Sequence, residues 1–554
     1  MDYSELVGCY QKLERTTKRL EMTDIISEFI RKVPEKNLPV VLLFLQGRVF
    51  PMWSEKELGI AGKLMVKALS LVSGATEDAI EKSVKETGDT GLTAEKILVR
   101  KHQTTLFTQK LTLEKVYDNL EKLAELTGKG SQDKKMSYIN ELLSFSTPAE
   151  SKYIVRTILG ELRLGVGEGI VRDAIAKSFG VDVKLLDNAY FLTSDFGELA
   201  IIAKREGNAG LKRVELKPGK PMNVMLAQKI DSIDSAIQEI EKIAFEVKYD
   251  GMRCQIHKDG KNIKLYTRRL ENVTNQFPEI VKFAKEINAK TAIIEGEVVA
   301  IKNKSDRRPR PFQDLSRRIK RKYDIQKMVD EIPVEINLFD LIFLNGKSYL
   351  KEKFSERRKE LEKIVKPTEF FRLADQLKTK KKSDAEKFYK KALEMGHEGV
   401  MAKNLDAPYQ PGSRVGYMYK IKPVMETLDL AITGATWGEG RRSHWLGSYL
   451  LSVRDPHTGE LLTIGRMATG LTDTQLEEMT EMLKPDVLEE SGKEVKLKPN
   501  VVVEVAYEEI QKSPTYDSGY ALRFPRLVRI RIDKGVDDAD TLERVESIMK
   551  GEKR

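Results

Sequence analysis

Hydrophobic spacing changes period once, near residue 215, and that change divides the chain. Before it, stretches such as "YSELVGCYQKLERTTKRLEMTDIISEFIRKV" place apolar residues three and four apart, the period of an amphipathic helix. "SKYIVRTILGELRLGVGEGIVRDAIAKSFG" reads as two helices parted by the Gly-rich "GVGEG". A stripe repeating every 3.6 residues does not suit the period-two face of a strand, so residues 1–215 are predicted all-α. Pro and Gly then gather in "ELKPGKPMNVMLAQ", Glu215–Gln228, a boundary signal. After it, "AFEVKYDG", "NIKLYTRR", "AIIEGEVVAI", "INLFDLIFLNG" and "EGVMAKN" are short strands between turn signals. Helical patterns such as "ERRKELEKIV" lie among them, which predicts an α+β domain over 216–426. Beyond "YKIKPVME", strands such as "DLAITGATWG", "GSYLLSVRD" and "NVVVEVAYEEI" surround one helical segment, "TDTQLEEMTEML". That pattern is consistent with a small β-barrel of the OB type over 427–554.

Composition narrows the partners. The 554 residues carry 95 Lys and Arg against 85 Asp and Glu, a net charge of +10, which favours a polyanion such as nucleic acid or an anionic membrane surface. The two cysteines, Cys9 and Cys254, can supply neither a disulfide framework nor a four-cysteine zinc site. No apolar run approaches the ~18 residues of a membrane span. "MDYSELVGCY" lacks the charged and apolar regions of a secretory signal. The expectation is a cytoplasmic protein.

Charged residues recur on the predicted strands of the middle domain. Glu246, Lys248 and Asp250 alternate in "EVKYDG" and so share a strand face. Such a face is either an exposed edge or the floor of a polar site. Arg253 follows, and Arg268 ends the next strand in "TRRLEN". Glu295 and Glu297 in "EGEVVA", and Asp340 in "NLFDLIFLNG", lie within apolar runs, where a carboxylate needs a partner or a metal. "HEGVMAK" supplies Glu398, and "YKIKP" supplies Lys420 and Lys422 on one strand face. Cations for phosphate oxygens together with carboxylates for Mg²⁺ are what phosphate chemistry requires.

"KYDGMR" matches the K-x-D-G-x-R signature of covalent nucleotidyltransferases. The ordered series "KYDGMR", "TRRLEN", "EGEVVA", "LFDLIFLNG", "EGVMAK" and "YKIKP" resembles the motif series of ATP-dependent DNA ligases. "SPTYDSGYALRFPRLVRIRIDKG" resembles their last motif and its approach. "QGRVFPMW" and "GELRLGVGEGIVRDAIAKSFG" are similar to the helical DNA-binding domain of archaeal and eukaryotic replicative ligases. The resemblance spans nearly the whole chain. It implies that Lys248 takes AMP from ATP, that AMP passes to the 5′-phosphate of a DNA nick, and that the 3′-hydroxyl then displaces it. It implies adenine contact by Glu246, stacking by Phe339, and ribose and nick-phosphate contacts by Arg253 and Arg268. Glu297 and Glu398 would serve metal (Mg²⁺ or Mn²⁺) and ribose, and Lys420 and Lys422 the α-phosphate. Arg414 falls near AMP. Met418 stands where the family often has tryptophan. Arg531, Asp533 and Lys534 would orient pyrophosphate. Cations around Lys248 are expected to favour its neutral form.

"RRPRPFQDLSRRIKRK", Arg307–Lys322, is either a solvated helix face or a contact with DNA phosphates. Gln103, Leu106 and Phe107 in "KHQTTLFTQ" resemble a shortened sliding-clamp motif, or pack inward from a loop. The implied partner is nicked duplex DNA, bound by a monomer associated with the nucleoid. An RNA ligase or an mRNA capping enzyme would share the lysine motif but not the helical domain. An NAD-dependent ligase would carry a zinc-binding cysteine set. A non-catalytic DNA clamp would not account for Lys248 together with Glu297, Glu398, Lys420 and Lys422.

Overall fold

The structure, a computed structural model, describes residues 1–99, 110–126, 128, 130–321, 323–423, 426–438, 442–468 and 471–550. Backbone contacts gather into two compact units, Met1–Lys422 and Pro423–Arg554. Gln103, Leu106 and Phe107 lie outside the described residues.

Among the described residues, twelve α-helices run from Tyr3 to Lys212. Their ends follow local chemistry. The helix Pro148–Leu159 begins where the Thr147 hydroxyl accepts from Glu150 N–H and the Glu150 carboxylate accepts from Thr147 N–H. It stops at Gly160, whose φ of +70° favours a residue without Cβ. The buried faces of these helices form one core around Tyr3, Leu42, Phe44, Leu120, Tyr153 and Leu199.

A strap, residues 213–225, leads into the strands β1 (Leu226–Lys229), β2 (Ile243–Lys248), β3 (Met252–Asp259), β4 (Asn262–Thr267), β5 (Thr291–Ala300) and β6 (Val334–Leu344). They continue as β7 (Lys347–Ser348), β8 (Phe371–Leu373), β9 (Gln376–Lys378), β10 (Gly399–Asn404) and β11 (Arg414–Ile421). Two sheets result, β1-β11-β10-β2-β9 and β4-β3-β5-β6-β7, with β8 added beside β6. The charged strand β2 pairs on both sides, so the exposed-edge reading of Glu246 and Lys248 does not hold.

Asp340 illustrates how these sheets bury charge. It is 3% exposed and takes a two-pronged bond from Arg357, with Nε–Oδ1 at 2.7 Å and Nη2–Oδ2 at 3.0 Å. Arg357 also donates to the carbonyls of Glu352 and Ala407. The carboxylate inside the apolar run thus has a partner and no need of a metal. Asp340→Ala would strand a buried guanidinium. It is expected to lower stability by about 3–5 kcal/mol, read as an earlier denaturant midpoint.

The second unit contains β12 (Leu428–Trp437), β13 (Leu446–Arg454), β14 (Leu461–Met467), β15 (Val487–Ser491), β16 (Glu494–Leu497), β17 (Val502–Ala506), β18 (Glu509–Lys512), β19 (Tyr520–Arg523) and β20 (Arg526–Ile530). Strand β12 pairs with β13 along one side and with β17 and then β16 along the other. These strands pack around a core of Leu430, Ile432, Tyr449, Leu451 and Val503. The helix Asp473–Leu483 packs against β13. This is the strand-rich C-terminal domain that the alternation predicts.

Candidate active site

Three strand ends bring the site together. Lys248 closes β2, Glu398 precedes β10 and Lys422 follows β11. Because β10 runs antiparallel to both neighbours, these three positions fall at one end of the sheet. The Lys248 ammonium donates to Glu398 Oε2 at 2.5 Å, and Lys422 pairs with the same oxygen. Two glycines permit this closeness. A Cβ on Gly251 would lie 2.2 Å from the carbonyl oxygen of Val298, and one on Gly399 would lie 2.2 Å from that of Ile421. The glycines of "KYDG" and "EGV" are therefore demanded by backbone approach.

Burial alone would raise the Glu398 carboxyl, but Lys248 and Lys422 outweigh it and hold it at about 2. The immediate partner of Lys248 is thus an anion, which it shares with a second cation, Lys422. Burial pushes the Glu297 carboxyl up to about 8; Lys248 and Arg253 oppose this, while Glu398 and Asp250 reinforce it. No hydrogen bond to the Glu297 side chain occurs among the described residues. A half-buried carboxyl in that condition favours a cation beside it.

Glu246 is 2% exposed, bound by Lys403 at 2.6 Å and by the Gln376 side-chain amide at 2.8 Å. Lys403 also stands 4.4 Å from the centre of the Phe339 ring, and the Arg253 guanidinium 5.4 Å from it. Arg253, Phe339, Phe354, Lys403, Tyr409 and Met418 line one cavity. Arg268 is exposed at the end of β4. Partial desolvation of its exposed guanidinium and the nearby charges of Arg253 and Arg414 push its pKa down, so three arginines lie near one another here. Lys420 lies on β11 opposite Met401 of β10 and Lys229 of β1. In the second unit, the Arg531 guanidinium bonds both Asp429, at 2.8 Å, and Asp533, at 2.7 Å, and Lys534 bonds Asp429 at 2.6 Å.

The basic run is divided by its helix, Phe312–Ile319. Arg318 is fully buried, donating to the carbonyls of Gln276 and Ile332 and paired with Glu279. Arg307 pairs with Glu335 and Arg310 with Asp314. Arg317, Lys320 and Arg321 remain exposed. A wider groove lies apart from Lys248, between Leu13–Met22 and Arg163–Ile170, and includes the Gly-rich turn. Sequence reasoning passed over Tyr409 and Arg358, which approaches Glu246 at 3.8 Å. No local pattern marks either residue.

A lysine closing a strand, a D-G turn beside it, a carboxylate just before the neighbouring strand and a lysine just after the next are the arrangement a covalent nucleotidyltransferase needs. Residues 2–176 match the family described as "DNA ligase N terminus", 224–422 "ATP dependent DNA ligase domain" and 442–534 "ATP dependent DNA ligase C terminal region". The chain belongs to the ATP-dependent DNA ligases, which seal nicks in duplex DNA through a lysyl-AMP intermediate. The DNA ligase of Thermococcus fumicolans is 49% identical over 550 residues, covering 99% of this chain and 98% of its own. That of Archaeoglobus fulgidus is 46% identical over 551 residues, covering 99% of each. The solved structure "Pmar-Lig_PreS3" shares the fold, with a TM-score of 0.55 and 19% identity, over 95% of this chain and 99% of its own.

Proposed function

We propose that Lys248 is the nucleophile of this ligase and that its meeting with Glu398 and Lys422 prepares the first step. The Lys248 amine attacks the α-phosphorus of ATP. A P–N bond forms, the bond to the bridging oxygen breaks, and pyrophosphate leaves. An ammonium cannot attack, so Lys248 must give up a proton, to solvent, and leave its ion pair. Glu398 is not then stranded, because Lys422 holds the same oxygen. AMP passes to the 5′-phosphate at a nick, and the 3′-hydroxyl displaces it.

The other roles follow motif position. Glu246 contacts the adenine amino group and Phe339 stacks on the base. Arg253 and Arg268 hold the ribose side and the nick phosphate, and Arg414 lies near AMP. Lys420 and Lys422 offset charge on the α-phosphate. Arg531, Asp533 and Lys534 orient pyrophosphate. Glu297 and Glu398 offer hard oxygen donors that fit Mg²⁺ or Mn²⁺. Among the described residues no three His, Cys, Asp or Glu side chains converge on one point, so an ion would draw its other ligands from nucleotide and water. When bound, it would neutralise phosphate charge. The functional division is 1–215 for DNA binding, 216–426 for adenylation and 427–554 for the OB domain, acting as a monomer on the nucleoid. Gln103, Leu106 and Phe107 dock a sliding clamp. No helix among the described residues is long and apolar enough to cross a membrane.

The test is sealing of a duplex with one labelled 5′-phosphate nick, with ATP, GTP or NAD as donor. Ligation with ATP alone supports the reading; NAD-driven ligation or none overturns it. Exposed Arg317 and Lys320 should bind DNA phosphates. Replacing both by alanine is expected to weaken nicked-duplex binding and to reduce the slope of log affinity against log salt by about 0.9 for each phosphate no longer neutralised. Fluorescence anisotropy at several salt concentrations checks this, and an unchanged slope would return the run to a solvated face.

A further inference from the structure

Arg253 faces two carboxylates on β5. Glu297 is directly opposite it in register, and Glu295 lies two residues away on the same face. It pairs with Glu295, at 2.6 Å. The cause of that choice lies outside both strands. Tyr409, on the loop between β10 and β11, is 3% exposed. Its phenol donates to Glu295 Oε2 at 2.9 Å and accepts from the backbone N–H of Met225 at 2.9 Å. Arg253 Nη1 in turn donates to the Met225 carbonyl at 2.8 Å, and Nη2 reaches the phenol oxygen at 3.3 Å.

These contacts close a ring of strap backbone, phenol, carboxylate and guanidinium. Burial, reinforced by Glu295, raises the Tyr409 pKa well above 10, so the phenol keeps its proton. The ring has no bond to spare. Glu295 Oε1 and Arg253 Nε are buried with no hydrogen-bond partner among the described residues. Without the phenol, the fully buried Glu295 would keep one side-chain donor, and Met225 N–H would lose its acceptor. A half-satisfied buried network loosens as a unit.

We propose that Tyr409 is a positioning residue for nucleotide binding. Together with Glu295 it ties Arg253 to the strap, beside the Phe339 ring, and leaves Glu297 available to a cation. This rests on the reading of Arg253 as a nucleotide contact.

Tyr409→Phe tests it in the full chain, beside Tyr266→Phe. The Tyr266 phenol also bonds the strap, at the Gly219 carbonyl (2.5 Å), but makes no contact with Arg253. ATP affinity is measured in the Lys248→Ala background, where no adenylate forms, and KM and kcat for self-adenylation in the Lys248 chain. Tyr409→Phe is expected to weaken ATP binding and raise KM by about tenfold, the scale of one buried charge-assisted bond, with kcat within about threefold. Tyr266→Phe should leave both unchanged. Glu295→Gln should raise KM similarly, and adding Tyr409→Phe to it should cost less than the two singles combined. Equal ATP affinity in Tyr409→Phe and Tyr266→Phe, or full additivity with Glu295→Gln, would overturn the proposal. Arg253→Ala separates the two levels. Unchanged affinity there overturns the nucleotide role of Arg253 itself, whereas lost affinity there with an unaffected Tyr409→Phe overturns only the positioning.

Discussion

Lys248→Ala is expected to reduce covalent labelling by α-labelled ATP to the no-enzyme level while leaving the chain folded. Lys422 shares the Glu398 oxygen but follows β11, whereas Lys248 closes β2 beside the D-G turn. Lys248→Arg should be equally inactive, since a guanidinium does not deprotonate in a protein. Both variants should still seal a nick that already carries 5′-AMP, because the 3′-hydroxyl attack does not use the lysine. Denaturing gels after incubation with labelled ATP, and sealing assays on pre-adenylated nicks, separate the two outcomes. Residual label in Lys248→Ala would move the nucleophile elsewhere. Loss of sealing on pre-adenylated DNA would mean that Lys248 also supports the last step, or that the fold is damaged.

The order of these elements was legible because period and motif are local. Helical spacing before residue 215 and short alternating strands after it are read from neighbours in sequence, as is the placing of Glu246 and Lys248 on one face. The contacts that give those residues meaning are not local. Lys248, Glu398 and Lys422 meet through two antiparallel registers, which pair each strand with a distant partner and so cannot be read from one strand alone. Asp340 was readable as a carboxylate in need of a partner, but Arg357 lies on a helix whose sequence, "FSERRKELEKI", reads as mostly solvated. The basic run misled in the same way. Arg318 is buried while Arg317 beside it is exposed, because one face of that short helix packs inward. Tyr409 carries no signal at all, since its role exists only where strap, β3 and β5 come together.

The strap also carries the strongest expected acid response. His257 is 1% exposed, and burial pushes its pKa down to about 3. Its Nδ1 accepts from the backbone N–H of Gly219 at 3.1 Å. The proton therefore sits on Nε2, which donates to Gln255 Oε1 at 3.1 Å. Gln255 in turn holds the strap by bonds to the Met222 carbonyl, at 2.6 Å, and the Met222 N–H, at 3.2 Å. Protonating Nδ1 would aim a donor at a donor. Between pH 6.5, the ordinary histidine value, and 3, the unfolded chain binds a proton here that the folded chain refuses. Stability then falls as pH falls, by about 1.4 kcal/mol per pH unit. Thermal unfolding at about pH 5, followed by calorimetry in buffers of different ionisation enthalpy, should show about one proton more taken up by the wild-type chain than by His257→Gln. The variant should also be less stable near neutral pH, with a shallower acid limb. Equal proton uptake in the two chains would mean that the folded protein tolerates an imidazolium at this position. The Gly219 bond could not then be what holds that end of the strap, which would fall to Gln255.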